Sequence, residues 1–236
     1  MAIPTHYSGR KTFVVLAILV LLVACDGDSE PNATAPIENT DPTGELGAKL
    51  LSVGDLPPGW SEAPRVSDPD VSDQESGFCN EPVPDVGNAT GSATVQFAKG
   101  ETTNPSRLVD TVVSYETAEE ATEAFYKVEQ TVGTCMEWDL DEGGTISRFK
   151  LASATFPNLG DQTVAARVTS DFNAGSADKP AALTGFVVGD TVIVRTGNHI
   201  VVLRHFAIGL GQLPEFNTAD TEPAARRAVE KVIQTA

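Results

Sequence analysis

Positive charge is what this chain of 236 residues has little of: 16 Lys and Arg stand against 33 Asp and Glu, a formal charge of −17. Nucleic acids and anionic bilayers both select basic surfaces, so the composition argues against nucleic-acid binding and against membrane adhesion through a basic patch. Histidine is also scarce. Beyond His6 there are only His199 and His205, six apart in one run of strand-like sequence, which places them on one face but roughly 20 Å from each other, too far to share a metal or a substrate atom. The Gly-x-Ser-x-Gly elbow of an α/β-hydrolase is missing, and the three cysteines form no Cys-x-x-Cys redox pair. No catalytic constellation can be assembled, and neither a cofactor nor a resident metal is expected.

Long apolar runs are absent with one exception. Residues 13–23 are continuously apolar, preceded by Arg10 and Lys11 and followed by Ala24, Cys25 and the polar stretch Asp26, Gly27, Asp28, Ser29. A run this short is a signal-peptide core and not a membrane span. The small residue before Cys25 resembles a bacterial lipoprotein box, with residues 1–24 removed and Cys25 acylated; the competing reading is a signal peptide cut near Ala24 that leaves Cys25 unmodified. Residues 1–24 hold two basic residues and no acidic one, so the remainder carries 14 basic against 33 acidic residues, or −19. Membrane attachment then rests on the lipid, and a bacterial diacylglyceryl group has the two chains that stable anchoring needs. The expected location is the extracytoplasmic face of the cell membrane.

With Cys25 assigned to the anchor, Cys79 and Cys135 remain as a pair in an oxidising compartment, and a disulfide is expected over two free thiols. In the chain-entropy description such a bridge is worth roughly 4 kcal/mol at most. Residues 25–44 are rich in Pro, Gly, Asn, Thr and acids, with Ile37 the lone large apolar side chain, and read as a disordered acidic tether with a reach on the order of 25 Å. Residues 45–236 suit one domain.

In that domain Leu46, Leu50 and Leu51 suggest a short helix ending at Gly54, followed by the rigid turn Leu56-Pro57-Pro58-Gly59-Trp60. Residues 61–92 read as a long irregular segment tied down at Cys79. Thr117 and Glu120 form a capping-box pattern, and Ala118, Ala121, Phe125, Val128 and Val132 recur at spacings of three and four, which predicts a helix ending at Gly133. Strand patterns cover 94–98, 108–115, 145–151, 163–170, 183–188, 191–196 and 199–206. The last three are separated by Gly189-Asp190 and Gly197-Asn198, both of tight-hairpin type. A closing helix over 222–233 carries Ala225, Val229, Val232 and Ile233 on one face. The expected fold class is α+β: an antiparallel sheet with two main helices packed on one face, in a single disulfide-stapled domain.

Several polar patterns remain. Asp139, Asp141 and Gly144 echo the start of a calcium loop, but Gly143 and Lys150 stand where oxygen ligands belong, so a solvated acidic turn is expected. Asp68, Asp70, Asp73 and Glu75 have no cage-like spacing. Asn32-Ala-Thr and Asn88-Ala-Thr match a glycosylation acceptor that means little in a bacterial lipoprotein. Residues 145–204 hold six basic and four acidic residues. If the helices cover the other face, Arg148, Lys150, Arg167, Arg195 and Arg204 would line a groove for an anionic ligand; the alternative is that they discourage edge pairing.

The order of these features, with Phe78-Cys79-Asn80, the strand end Ser114-Tyr115 before an Ala/Glu helix, and Cys135 three residues before Trp138, resembles the PknH-like extracellular sensor domain. That family occurs at the outer end of an actinobacterial Ser/Thr kinase and by itself in actinobacterial lipoproteins. The resemblance implies an α+β sandwich with a cleft and a role in sensing a small ligand or a cell-envelope component. The kinase ectodomain carries two disulfides, whereas this chain has cysteines for one. The expected function is a non-catalytic, lipid-anchored binding or sensor-like module, partnered by a membrane signalling protein if it signals; the alternative is a carrier or scaffold for envelope lipids or glycans.

Overall fold

The computed structural model describes residues 44–63, 78–79, 84, 87–100, 105–142, 145–174 and 183–235. Cys25, the signal and tether segments, the Asp68–Glu75 cluster and most of 61–92 lie outside the described residues. Strands β1 (Trp60–Glu62), β2 (Ala89–Lys99), β3 (Ser106–Tyr115), β4 (Glu137–Glu142), β5 (Thr145–Ser153), β6 (Gln162–Ala174), β7 (Leu183–Thr196) and β8 (His199–Leu210) form one antiparallel sheet, ordered β1-β2-β3-β8-β7-β6-β5-β4. Helix α1 (Ala118–Thr134) carries the chain from β3 at the centre to β4 at the far edge. The strands then return one by one until β8 closes against β3. Helix α2 (Thr221–Gln234) follows β8.

The two helices cover opposite faces of the sheet, which corrects the expectation that both share one. Alternate residues of a strand point to opposite sides. Val113, Ile193, Ile200 and Val202 pack with Ala121, Phe125, Val128 and Val132 of α1. Their neighbours Val112, Val192, Val194, Val201 and Leu203 pack with Ala224, Ala225, Ala228, Val229 and Val232 of α2. This is why Ile200, Val201, Val202 and Leu203 are all buried in succession: a strand covered on both sides loses its apolar–polar alternation. Each fully buried aliphatic side chain contributes about 1.5–3 kcal/mol relative to exposure.

Local signals explain most element ends. The Thr117 hydroxyl accepts from the Glu120 N–H at 3.2 Å and the Glu120 carboxylate accepts from the Thr117 N–H at 3.1 Å, a complete capping box. The Gly197-Asn198 turn joins β7 to β8 with Gly197 at φ +57°. Gly189-Asp190, by contrast, lies inside β7, where both residues stay in register with Phe206 and His205. Gly189 is required because a Cβ there would lie 2.5 Å from that of Phe206; the glycine marks close backbone approach and not a turn. The acidic stretch around Asp139 is edge strand β4. On α2, Ile233 is exposed, and Ala224 and Ala228 occupy the buried face. Among the described residues no helix is long and apolar enough to cross a membrane.

The disulfide Cys79–Cys135 forms, with Cα atoms 5.9 Å apart, and Cys79 adopts φ +52°, in the left-handed region. Residues 44–56 form a strap with two short 3-10 turns, Gly47–Lys49 and Val53–Asp55, in place of the expected helix. The strap is fastened by side chains. Lys49 Nζ donates to the Thr235 carbonyl at 2.9 Å, Leu51 N–H donates to Asp110 Oδ2 at 2.8 Å, and Asp55 accepts from Arg227 Nε at 2.9 Å and Lys231 Nζ at 3.1 Å. Burial alone would raise the Asp55 carboxyl, but the bonds from Ser52, Arg227 and Lys231 hold it well below the ordinary carboxylate range.

Candidate ligand-binding site

A cavity of about 430 Å³ opens on the α2 face, between the adjoining ends of β2 and β3, the outer end of β8 and the connection that leads into α2. Lys99 closes β2, Ser106 opens β3, and His205 and Ala207 stand on β8. Asn217 and Asp220 come from the 3-10 turn Thr218–Asp220 and its cap, just before α2, the side chain of Asn217 accepting from the Ala219 N–H at 3.0 Å. Gly209 lets the connection fold back over the sheet: a Cβ on it would lie 2.5 Å from the Gln212 carbonyl oxygen. This volume falls in the usual range for small-molecule sites.

The polar groups of the cavity are organised around Asp220. Its Oδ2 accepts from Lys99 Nζ at 2.7 Å and from Trp60 Nε1 at 3.2 Å. Burial would raise this carboxyl, but these two donors hold it below its ordinary value. Trp60, delivered by the Pro57-Pro58-Gly59 turn, is itself buried and meets the His205 ring edge-on at 5.5 Å. Phe216 closes over the other side of His205 at 4.8 Å. His205 is 1% exposed, with Nδ1 2.8 Å from the Thr221 hydroxyl and Nε2 3.5 Å from the Ser106 hydroxyl. Burial pushes its imidazole down to about 4, against the upward pull of Asp220 and Asp190, so it is uncharged near neutral pH.

The Ser106–His205 pair does not have the geometry of an assembled nucleophile and base. A serine nucleophile needs its base within about 2.6–3.2 Å and a third group, commonly a carboxylate, to orient that base. Here the Ser106–His205 separation is 3.5 Å and the partner on the far nitrogen is a threonine hydroxyl. No three potential metal ligands converge among the described residues.

The five cations singled out in the sequence do not line one groove. Arg148, Lys150 and Arg167 lie on the α2 face, and Arg195 and Arg204 on the α1 face, by the strand register. Arg148 pairs with Asp139 at 3.4 Å and Lys150 with Glu137 at 3.6 Å, both exposed cross-strand contacts on β4 and β5 that are worth little. Arg167 makes a two-pronged pair with Asp190 at 2.7 and 3.0 Å and lies 5.6 Å from the Phe216 ring, so it borders the cavity through Phe216. Arg195 is held by Gln162 at 2.6 Å and Asp161 at 3.1 Å. Arg204 is half-buried and burial lowers it to about 10. No motif signals Lys99, Ser106 or Asp220; the Pro-Pro-Gly turn presents Trp60, and the spacing of His199 and His205 excludes only a site shared between them.

No protein-family model matches the sequence, and no curated protein matches it either. Among solved structures, the extracellular domain of PknH from Mycobacterium tuberculosis is similar at 16% identity and a TM-score of 0.48, over 80% of this chain and 95% of that one. The human StarD13 (DLC2) lipid transfer and protein localization domain aligns at 12% identity and a TM-score of 0.23, over 75% of this chain and 88% of that one.

Proposed function

We propose that the chain is a non-catalytic binding or sensor-like module, held by a lipid on Cys25 at the extracytoplasmic face of the cell membrane, and that its ligand occupies the cavity at Asp220. The observation that carries this reading is the cavity's chemistry. Its strongest groups are already oriented by one another, with Asp220 fixed between Lys99 and Trp60 and a neutral His205 fixed by Thr221. Groups preorganised in this way bind a ligand at a low cost of reorganisation. Cys79 and Cys135, joined as an exported protein's cysteines are, accord with the extracytoplasmic placement. A membrane signalling protein is the natural recipient of any signal.

Native mass spectrometry of the mature protein, extracted from its own host in mild detergent, tests the reading. A non-covalent adduct that disappears when Ser106→Trp fills the cavity supports it; an adduct retained equally by that variant places the ligand elsewhere. An adduct with the mass of an intact lipid would favour the envelope-carrier alternative. The same measurement reads the N-terminal residue, and an unmodified Cys25 would remove the anchor.

A further inference from the structure

We propose that the cavity at Asp220 takes a neutral polyhydroxylated ligand, a sugar unit, and not the anion that the basic strands suggested. The inference rests on the cavity being the binding site and names what it selects. Its fixed charges are one ammonium, Lys99, against two carboxylates, Asp220 and Glu215, so an anion entering it meets net repulsion. Among the described residues no exposed aromatic box lines the cavity to attract an organic cation: Trp60 is 5% exposed and turned toward His205 and Asp220. An apolar ligand would strip water from these charged groups without replacing its bonds.

A hydroxyl both donates and accepts, and the cavity offers both roles side by side. Asp220 uses Oδ2 for Lys99 and Trp60, and its Oδ1 makes no hydrogen bond among the described residues. Lys99 Nζ, adjacent to it, has donors beyond the one aimed at Asp220. A diol spanning this pair would donate to Asp220 and accept from Lys99. Asn217 spends its carbonyl oxygen on the Ala219 N–H, which leaves its amide N–H groups as donors at the cavity wall. Ser106 and Gln212 add a hydroxyl and a second amide. Leu213 and Pro214 give the apolar surface against which ring C–H groups pack.

Trp60 provides a local reporter, because its indole N–H is bonded to the carboxylate that the sugar would engage. In the mature lipidated chain, held in detergent micelles and carrying Trp138→Phe so that Trp60 alone emits, neutral probes (methyl glucoside, trehalose, N-acetylglucosamine) are titrated against glucose 6-phosphate, choline and a fatty acid. The expected result is a saturable Trp60 shift with at least one neutral sugar. Binding should weaken about tenfold in Asp220→Asn and in Asn217→Asp, the latter keeping the cap oxygen and losing the amide donor. Melting temperatures of the variants distinguish lost binding from lost folding. Soluble oligosaccharides released from the host envelope form a second arm: tighter binding than the monosaccharide units identifies a glycan source, equal binding a free sugar. No saturable shift with any neutral sugar overturns the proposal, as does tighter binding of glucose 6-phosphate or unchanged affinity in both variants. Saturable binding of choline or the fatty acid alone would reject the sugar and leave the binding function standing; silence from every probe, together with no retained adduct in native mass spectrometry, would remove both.

Discussion

The two sides of the sheet have different interiors. Beneath α1 the core is built from Phe125, Val128, Tyr115, Ile193, Ile200 and Val202, and the fully buried polar residues on that face are the hydroxyl-bearing Ser147, Ser170 and Thr191. Beneath α2 and the strap, ionisable groups are buried as well: Lys49, Asp110, Asp190, His199 and His205. Burying such groups costs stability unless each is partnered, and although the α1 side buries the Tyr115 phenol and half-buries Arg204, most of that cost falls on the α2 side. The cavity lies on that same side. The α1 side, with the Cys79–Cys135 bridge at the end of its helix, acts as the rigid backing.

If that contrast holds, the largest loss of stability comes from the α1 side. Phe125→Ala, at a position that is 0% exposed, is expected to cost about 3–5 kcal/mol in urea denaturation. A loss well below that range would mean that α1 is a loose cover and not the backing. Next is the bridge: the Cys79→Ser, Cys135→Ser double variant is expected to lose about 2–4 kcal/mol while leaving Trp60 emission unchanged, since the bridge and the cavity lie on opposite sides.

The third effect has the opposite sign and belongs to the α2 side. Burial pushes the Asp110 carboxyl up to about 7 from 3.8, against the Leu51 N–H bond and the charge of Lys231, with Asp55 adding to the rise. Between those values the folded protein keeps a proton that the unfolded chain releases. The contribution of Asp110 is therefore fully present below about pH 4, shrinks as pH rises through about 7, and is absent above it. Its Oδ1 has no hydrogen-bond partner, so Asp110→Asn supplies a neutral group of the same shape. The variant is expected to be more stable than the parent at pH 8 by on the order of 2 kcal/mol, with the gap closing toward pH 4 in parallel thermal melts. A gap that widened toward acid would show that Asp110 is ionised in the fold at low pH. The smallest effect is local: Thr117→Ala removes one half of the capping box and should cost about 1 kcal/mol, seen in hydrogen exchange at the first turn of α1 and not in α2.

Much of the sheet was legible because its signals are local. The capping box at Thr117 and Glu120, the three-and-four spacing of α1, the Gly197-Asn198 turn and the pairing of Cys79 with Cys135 each need only a few neighbouring residues or a count. Errors arose where one residue type serves two purposes. Gly189 beside Asp190 has the composition of a hairpin turn, but the glycine answers a close approach to Phe206 on the neighbouring strand β8. The placement of both helices on one face overlooked the run Ile200 to Leu203, whose unbroken apolarity is the mark of a strand covered twice. The five-cation groove failed for a related reason: Arg148 and Lys150 share a face by parity, but relating them to Arg195 and Arg204 requires the register of four strands. The cavity was the least legible part, since Lys99, Ser106, His205 and Asp220 are scattered through the chain and meet only once β2, β3, β8 and α2 are in place.

The strap gives the molecule a mechanical character. Residues 44–56 add no strand to the sheet; they are fixed by Leu51 to Asp110, by Asp55 to Arg227 and Lys231, and by Lys49 to the Thr235 carbonyl. A pull arriving through the residues that precede 44 therefore meets these fasteners, and the burial of Leu50, Leu51 and Leu56 in the α2-side core, before it reaches the sheet's backbone ladder. The first load on the fold thus falls on the strap, and one of its fasteners, Asp110, changes charge near neutral pH.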